Sequence, residues 1–304
     1  MSEAKQSTPS ADIFVLRSDG PEILYKFRAL TTVEDWRRFE EICSRRSLWL
    51  PALGSFNDPF EGRVSLRIGT GNVGTISRWV NKGLRQLTND SPARRLGEAR
   101  RVARKIASTG ISMDLPPEGA ESLGVLCLVK CANNLLMWSH YASGHAGVAI
   151  GFRRKTAAPF NLFSLALEVD YRNKKPVVDP IADSPDAKFR KAILTKARCW
   201  EPEQEWRLPA YGPKMDQASV SRCELSGLFR VESRVGEYLA SGGGGDRWLR
   251  FADDDIVSVV LGARLGAKER RRAVDVIRQH FPDAKLLQSE CAPDNYEVVI
   301  SQSV

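Results

Sequence analysis

SLGVLCLVKCANNLLMWSHYASGHAGVAIGF, residues 122–152, is the stretch from which the fold can be read. Its first run, SLGVLCLVK (122–130), is rich in Val, Leu and Cys and uncharged until its last residue, as expected of a central strand buried on both faces. Its last run, AGVAIGF (146–152), is a second apolar segment of strand length. Between them, MWSHYASGH reads as a loop and turn. Upstream, ILYKFR (23–28) has strand-like aromatics, and Thr32-Val-Glu-Asp35 is a capping-box start to a helix on which Trp36, Phe39 and Ile42 repeat at helical spacing. The segment 47–66 reads as a short strand, an Asn-Asp-Pro turn and another extended run. Residues 74–110 look helical, with Ser91 and Pro92 as N-cap and first residue of a second helix.

Downstream, FSLALEVDY (163–171) alternates like a third strand, and a helix carrying Phe189, Ile193 and Ala197 runs up to Cys199 and Trp200. IVSVVLG (256–262), a helix bearing Val274, Ile277 and Phe281, and the runs AKLLQ and NYEVVI suggest a crossover unit that closes the domain. The expected fold is therefore α+β, a mixed central β-sheet with flanking helices and a helical insertion around 74–110. A disordered tail over 1–20 precedes a single domain over 21–304.

Composition narrows the function. The 304 residues are 42% hydrophobic and 27% charged, and no apolar run approaches the roughly 20 residues of a membrane span. The start, MSEAKQSTPSAD, has no apolar core behind its charges, so no secretory signal and no membrane are expected, and a cytoplasmic location is. Six cysteines at 43, 127, 131, 199, 223 and 291 read as reduced core thiols. The net charge of +8 invites a nucleic-acid or protein partner. Much of that excess falls on two amphipathic segments, 91–108 and 267–281, whose basic residues read equally well as solvated helix faces.

Three phrases carry chemistry. Two of the three histidines, His140 and His145, share a window with Trp138, Ser139 and Tyr141, where proton exchange near neutral pH or a pair of core histidines are both open. FNDPFE (56–61) is first a turn, since Asn57 and Asp58 bond their own backbone before a proline. It also brackets Asp58 and Glu61 between Phe56 and Phe60, on an apolar floor that would raise their pKa values. EPEQEWR (201–207) puts Glu201, Glu203 and Glu205 at period two; on one strand they would share a face with Arg207, and such a ladder needs a cation, a metal or a substrate.

The spacing of Cys127, Cys131, His140 and His145 superficially resembles a zinc ligand set. On a strand, four residues at about 3.3 Å each place the two cysteines roughly 13 Å apart, too far to share one ion. SGGGGD (241–246) lacks the strand and helix that a phosphate loop needs, and neither GxSxG nor GxxxxGK[ST] occurs.

The phrases LYKFR, LWLPALGSFNDPFEG, GVLCL, LLMWSHYASGHAGVAIGF and EQEWR, in this order across residues 22–300, resemble domain-of-unknown-function family 2971. That resemblance implies a bacterial cytoplasmic protein, sometimes found among mobile-element and phage-defence genes. A second likeness is to the ADP-ribosyltransferase plan: Arg28 or Tyr25 on the first strand, the Ser139-His140-Tyr141 phrase, and Glu203-Gln-Glu205.

The second likeness implies an enzyme that uses NAD as a substrate. Glu205 would be the catalytic carboxylate, Glu203 would orient the acceptor, and Arg28 would hold a phosphate. His140 and Tyr141 would line the nicotinamide pocket, with Trp138, Ser139, His145, Asn57, Asp58, Glu61 and Arg207 around it. A hydrolase or nuclease built on a divalent metal at Asp58, Glu61, His140 and the late carboxylates remains open. So does a non-catalytic sensor or adaptor that binds through the basic helices.

Overall fold

The computed structural model describes residues 20–69, 71–115, 123–155, 161–211 and 248–302. The two apolar runs that open the reading are strands, β5 (Leu123–Val129) and β6 (Gly147–Arg153), on either side of β1 (Ile23–Ala29). They lie at the centre of an eight-stranded sheet. Outward from β5 come β11 (Glu205–Tyr211) and the short β7 (Leu167–Glu168). Outward from β6 come β13 (Ile256–Leu261), β14 (Lys285–Cys291) and β15 (Val298–Gln302). Every neighbouring pair is antiparallel except β13 with β14, whose parallel register is bridged by α6 (Ala267–His280). The α+β class, the mixed sheet and the closing crossover thus stand as expected.

Both faces of the sheet are covered. Leu24, Leu126, Leu128, Val148 and Ile150 point to one side, where α1 (Val33–Arg45) buries Trp36, Phe39 and Ile42 against them. Phe27, Val129 and Ala149 point to the other, where α4 (Leu135–Tyr141) seats Met137 and Trp138. Burying a large apolar side chain contributes about 1.5–3 kcal/mol, so two such layers can hold the sheet. Helix α1 starts with the expected capping box, Thr32 accepting from the Asp35 amide at 3.1 Å and Asp35 accepting from the Thr32 amide at 2.9 Å.

Small sheets and the insertion lie around this centre. β2 (Ser47–Trp49) pairs with β12 (Trp248–Arg250). β3 (Val64–Ile68) runs between β4 (Ile111–Leu115) and β9 (Val177–Val178). Helices α2 (Val73–Leu87) and α3 (Pro92–Thr109) fill 73–109 and pack against each other, and Ser91 caps α3 by accepting from the Arg94 amide.

Three expectations change. MWSHYASGH is not a loop throughout: Asn134 caps a helix by accepting from the Leu136 and Met137 amides, and Leu135–Tyr141 forms α4. The alternation in 163–171 yields only β7 and β8 (Asp170–Arg172) behind a 3-10 turn, because Phe163 and Leu162 bury together in the core. Helix α5 (Pro185–Ile193) ends before Ala197, which lies on β10 (Thr195–Ala197), paired with β8. The SGGGGD stretch and the tail to residue 19 lie outside the described residues.

Candidate functional site

Strand β1 pairs with β6 along all of Ile23–Ala29, but with β5 only at Tyr25 and Val129. Past that pair the ladder stops, and the Lys26 ammonium takes over as donor, reaching the Cys127 carbonyl at 2.9 Å. A cavity of about 280 Å³ opens beside this break. Tyr25, Phe27, Phe56, Met137 and Tyr141 give it apolar walls, and Lys196, Glu203 and Glu205 give it a charged floor.

That floor is a buried cluster of three carboxylates and two cations. Arg207 is fully buried and holds Glu205 with two nitrogens, Nε to Oε1 at 2.9 Å and Nη2 to Oε2 at 3.1 Å. Its Nη2 also donates to Glu61 Oε1 at 2.6 Å, and its Nη1 to the Ile193 carbonyl at 2.6 Å. Lys196 Nζ donates to Glu203 Oε2 at 2.6 Å and Glu205 Oε2 at 2.9 Å, and lies 3.6 Å from Glu61. Tyr141 Oη donates to Glu203 Oε1 at 2.8 Å, and the Glu205 amide donates to Tyr171 Oη at 2.7 Å. Above and below, Trp200 lies against Lys196 and Phe56 against Arg207.

Local chain geometry brings these groups together. A 3-10 turn over Arg198–Glu203 and a left-handed Gln204 (φ 50°) deliver Glu203 from outside the strand and Glu205 from its first position. Asn134, besides capping α4, donates its side-chain amide to the Pro202 carbonyl, which fixes α4 against this turn and Tyr141 against Glu203. FNDPFE is the expected turn: Asp58 Oδ1 accepts from the Phe60 amide at 2.9 Å, and Glu61 swings inward.

Burial would raise the pKa of Glu205, but the charges of Arg207 and Lys196 outweigh it and hold the carboxyl down at about 2. Glu61 goes the other way: burial dominates over Arg207 and its pKa is raised, and its Oε2 has no hydrogen-bond partner among the described residues. Lys26 is pulled down to about 8, by burial first and the Arg28 charge second. Burial and the Glu203 charge push the Tyr141 phenol up.

The structure joins Glu203, Glu205, Arg207, Glu61, Tyr141, Tyr25 and Asn57 of the sequence-predicted residues at or beneath this cavity. It separates others. The period-two carboxylate ladder does not form: Glu201 is exposed on the 3-10 turn and pairs with Arg198. Ser139 and His140 are exposed on the outer side of α4, and Trp138 is core, donating Nε1 to the Ala132 carbonyl at 2.7 Å. His145 is buried in a left-handed turn (φ 72°), stacked on Trp138 at 6.0 Å, with burial lowering its pKa. Asp58 faces a neighbouring small cavity that Glu61, Lys196, Arg63 and Lys175 also line, and Phe60 is exposed rather than part of an apolar floor.

Arg28 extends to the α1 side of the sheet, away from the cluster. Asp58, Glu61 and His140 do not converge, and among the described residues no three metal-ligating side chains do. Of the cysteines expected in the core, Cys43 is buried, whereas Cys199 and Cys291 are exposed, and Cys223 lies outside the described residues.

On the basic helices, Arg94 and Arg101 of α3 pair with Asp90 and Glu98, while Arg272 of α6 pairs with Glu40 across to α1. Sequence reasoning missed Lys196, Lys26, Cys127, Tyr171 and Asn134. The signal for Lys196 was the unbalanced carboxylates themselves, since it is the nearest lysine before them.

The arrangement defines an α+β protein with a clamped carboxylate cluster flooring a cavity between two central strands. Residues 137–208 match the model of a protein family of unknown function, DUF2971. The matched segment runs from α4 into β11, so it contains Tyr141, Lys196, Glu203, Glu205 and Arg207, and it is shorter than the span over which the family's phrases were read. No curated protein and no solved structure matches the chain. No helix among the described residues is long and apolar enough to cross a membrane.

Proposed function

We propose that the cavity beside β1 and β5 acts on the N-glycosidic bond of NAD, as in an ADP-ribosyltransferase-like enzyme, with Glu203 as the working carboxylate. The observation that carries this is Glu203 itself. It lines an aromatic cavity while Tyr141 and Lys196 fix both of its oxygens. Glu205 is held by Arg207 from two sides and serves to position Lys196, so the roles expected of the two glutamates are exchanged.

A volume of about 280 Å³ is just below the range of drug-sized ligand sites, about 300 to 1,000 Å³, and suits one ring with its sugar rather than a whole dinucleotide. In the proposed step the nicotinamide leaves with the bonding pair and the ribose C1′ becomes oxocarbenium-like beside the Glu203 carboxylate. Preorganised negative charge at that point lowers the barrier. Water or an acceptor then bonds to C1′, and its proton passes to Glu203.

The test is nicotinamide release from NAD by the purified protein and by Glu203→Gln. Release that Glu203→Gln abolishes while the fold is kept supports the assignment. No release from wild type, or full turnover in the variant, removes it.

A further inference from the structure

We propose that a second groove, on the α1 side of the central sheet, binds a free nucleoside phosphate, with the phosphate on Arg28 and the nucleobase against Trp49. The groove measures about 560 Å³, within the range of small-molecule sites and roomier than the cavity on the other side. Four arginines line it, Arg28 from β1 and Arg37, Arg38 and Arg45 from α1, and Trp49 and Trp248 line it where β2 meets β12.

Its charge calls for an anion. Glu41 is the one carboxylate in the lining and pairs with Arg37 at 2.7 Å and Arg45 at 3.8 Å, and Arg37 and Arg38 also reach Glu34, but the guanidinium of Arg28 has a buried Nε with no hydrogen-bond partner among the described residues. An unsatisfied buried donor carries a desolvation penalty that an anion at the groove would relieve. Guanidinium nitrogens are in-plane forks that match phosphate oxygens two at a time, which a lysine cannot do. Burial and the Arg38 charge lower the pKa of Arg28 to about 10, so it remains protonated at neutral pH and keeps both charge and donors.

Its aromatic side calls for a flat ring. Trp49 is 41% exposed, large for an indole on a strand, and stands edge-on to Trp248 with centroids 5.4 Å apart. One indole braced by another presents a fixed face on which any base can stack. Phosphate donors and a stacking face in a single groove of this size fit a mononucleotide. The groove shares Lys26 and Pro51 with the cavity, but the inference stands without the reaction proposed there.

The experiment titrates the whole protein with ADP, inorganic pyrophosphate, adenosine and an eight-residue oligothymidylate, reading heat and tryptophan fluorescence. ADP is expected to bind with quenching, and pyrophosphate and adenosine each at least tenfold more weakly. Arg28→Gln is expected to weaken ADP at least tenfold, and Trp49→Phe to lose most of the quench. Arg45→Gln, at an exposed position, gives a milder loss in a chain whose fold is not at risk.

ADP binding must survive Glu203→Gln, which separates this groove from the cavity reading. Silence toward ADP, equal affinity for pyrophosphate and ADP, or unchanged binding in Arg28→Gln and Arg45→Gln would overturn the proposal. Binding of the oligothymidylate more than tenfold tighter than ADP would replace the mononucleotide with a single strand and overturn it as well.

Discussion

Replacing Lys196 with Met removes the ammonium on which Glu203 and Glu205 converge and keeps the volume roughly constant. The variant leaves Glu61 and Glu205 with Arg207, and Glu203 with the Tyr141 hydroxyl in place of its ammonium partner. Removing one partner of a buried pair costs about 3–5 kcal/mol because the charge left behind has no compensation. Lys196 is 6% exposed, so water cannot substitute for it. Against a total stability of about 5–15 kcal/mol, and with about 2–4 °C per kcal/mol in a domain of this size, the expected drop in Tm is roughly 6–20 °C.

The pH dependence adds a second readout. Glu205, whose folded pKa lies near 2, contributes stability that is present above the unfolded carboxylate pKa and fades as pH falls toward 2. Glu61 has a raised pKa, so its contribution is present at low pH and lost as pH rises through the folded value. Without Lys196 the carboxylates take up protons more readily, so the gap between wild type and Lys196→Met should narrow from pH 7 to pH 4.5 in urea unfolding. Midpoints that coincide at pH 7, or a gap that widens on acidification, would refute the electrostatic account of this cluster.

Two further outcomes follow from the packing. Gly147→Ala sets a methyl group against the Arg28 carbonyl on the neighbouring strand, an overlap in the middle of the sheet, and should lower stability by about 1–3 kcal/mol in chemical denaturation. His140→Ala, on the exposed side of α4, should leave stability within about 0.5 kcal/mol of wild type and leave nicotinamide release unchanged, whereas a loss of release would return His140 to the site.

Where the sequence was legible, one physical pattern dominated locally. Uncharged β-rich runs marked β5 and β6, a capping box marked α1, and Ser91-Pro92 marked α3. The site was half legible. EPEQEWR pointed to carboxylates that need a cation, and Arg207 and Lys196 supply it, but period two was the wrong geometry because Pro202 and the left-handed Gln204 place a 3-10 turn before the strand. Glu61 reaches Arg207 across 146 positions of sequence and Lys26 fills a gap between strands, and neither relation leaves a mark in local spacing. His140 misled for the opposite reason: a cluster of chemically capable residues in sequence became a helix, and helical geometry sent Trp138 inward and His140 outward.

The charge of the cluster bears on what the cavity would accept. Glu61, Glu203 and Glu205 share Lys196 and Arg207, and Lys26, with its pKa lowered to about 8, lines the same cavity as a third cation. Burial raises the pKa of Glu61, whose Oε2 has no partner among the described residues, whereas Arg207 and Lys196 hold that of Glu205 down, so Glu61 takes up a proton more readily than Glu205. A positively charged group entering beside Glu203 would favour the ionised form of Glu61, and the pyridinium ring of NAD and the oxocarbenium that follows its departure both carry that sign. The arginine-lined groove on the α1 side has the opposite preference. On the proposed readings, binding of a cationic ring should therefore lower the pKa of Glu61 and shift proton uptake by the protein to lower pH, and binding of ADP at the groove should not. Calorimetry of both ligands across pH, in buffers of different ionisation enthalpy, distinguishes the two, and a proton linkage that persists in Glu61→Gln would place the titrating group on another residue.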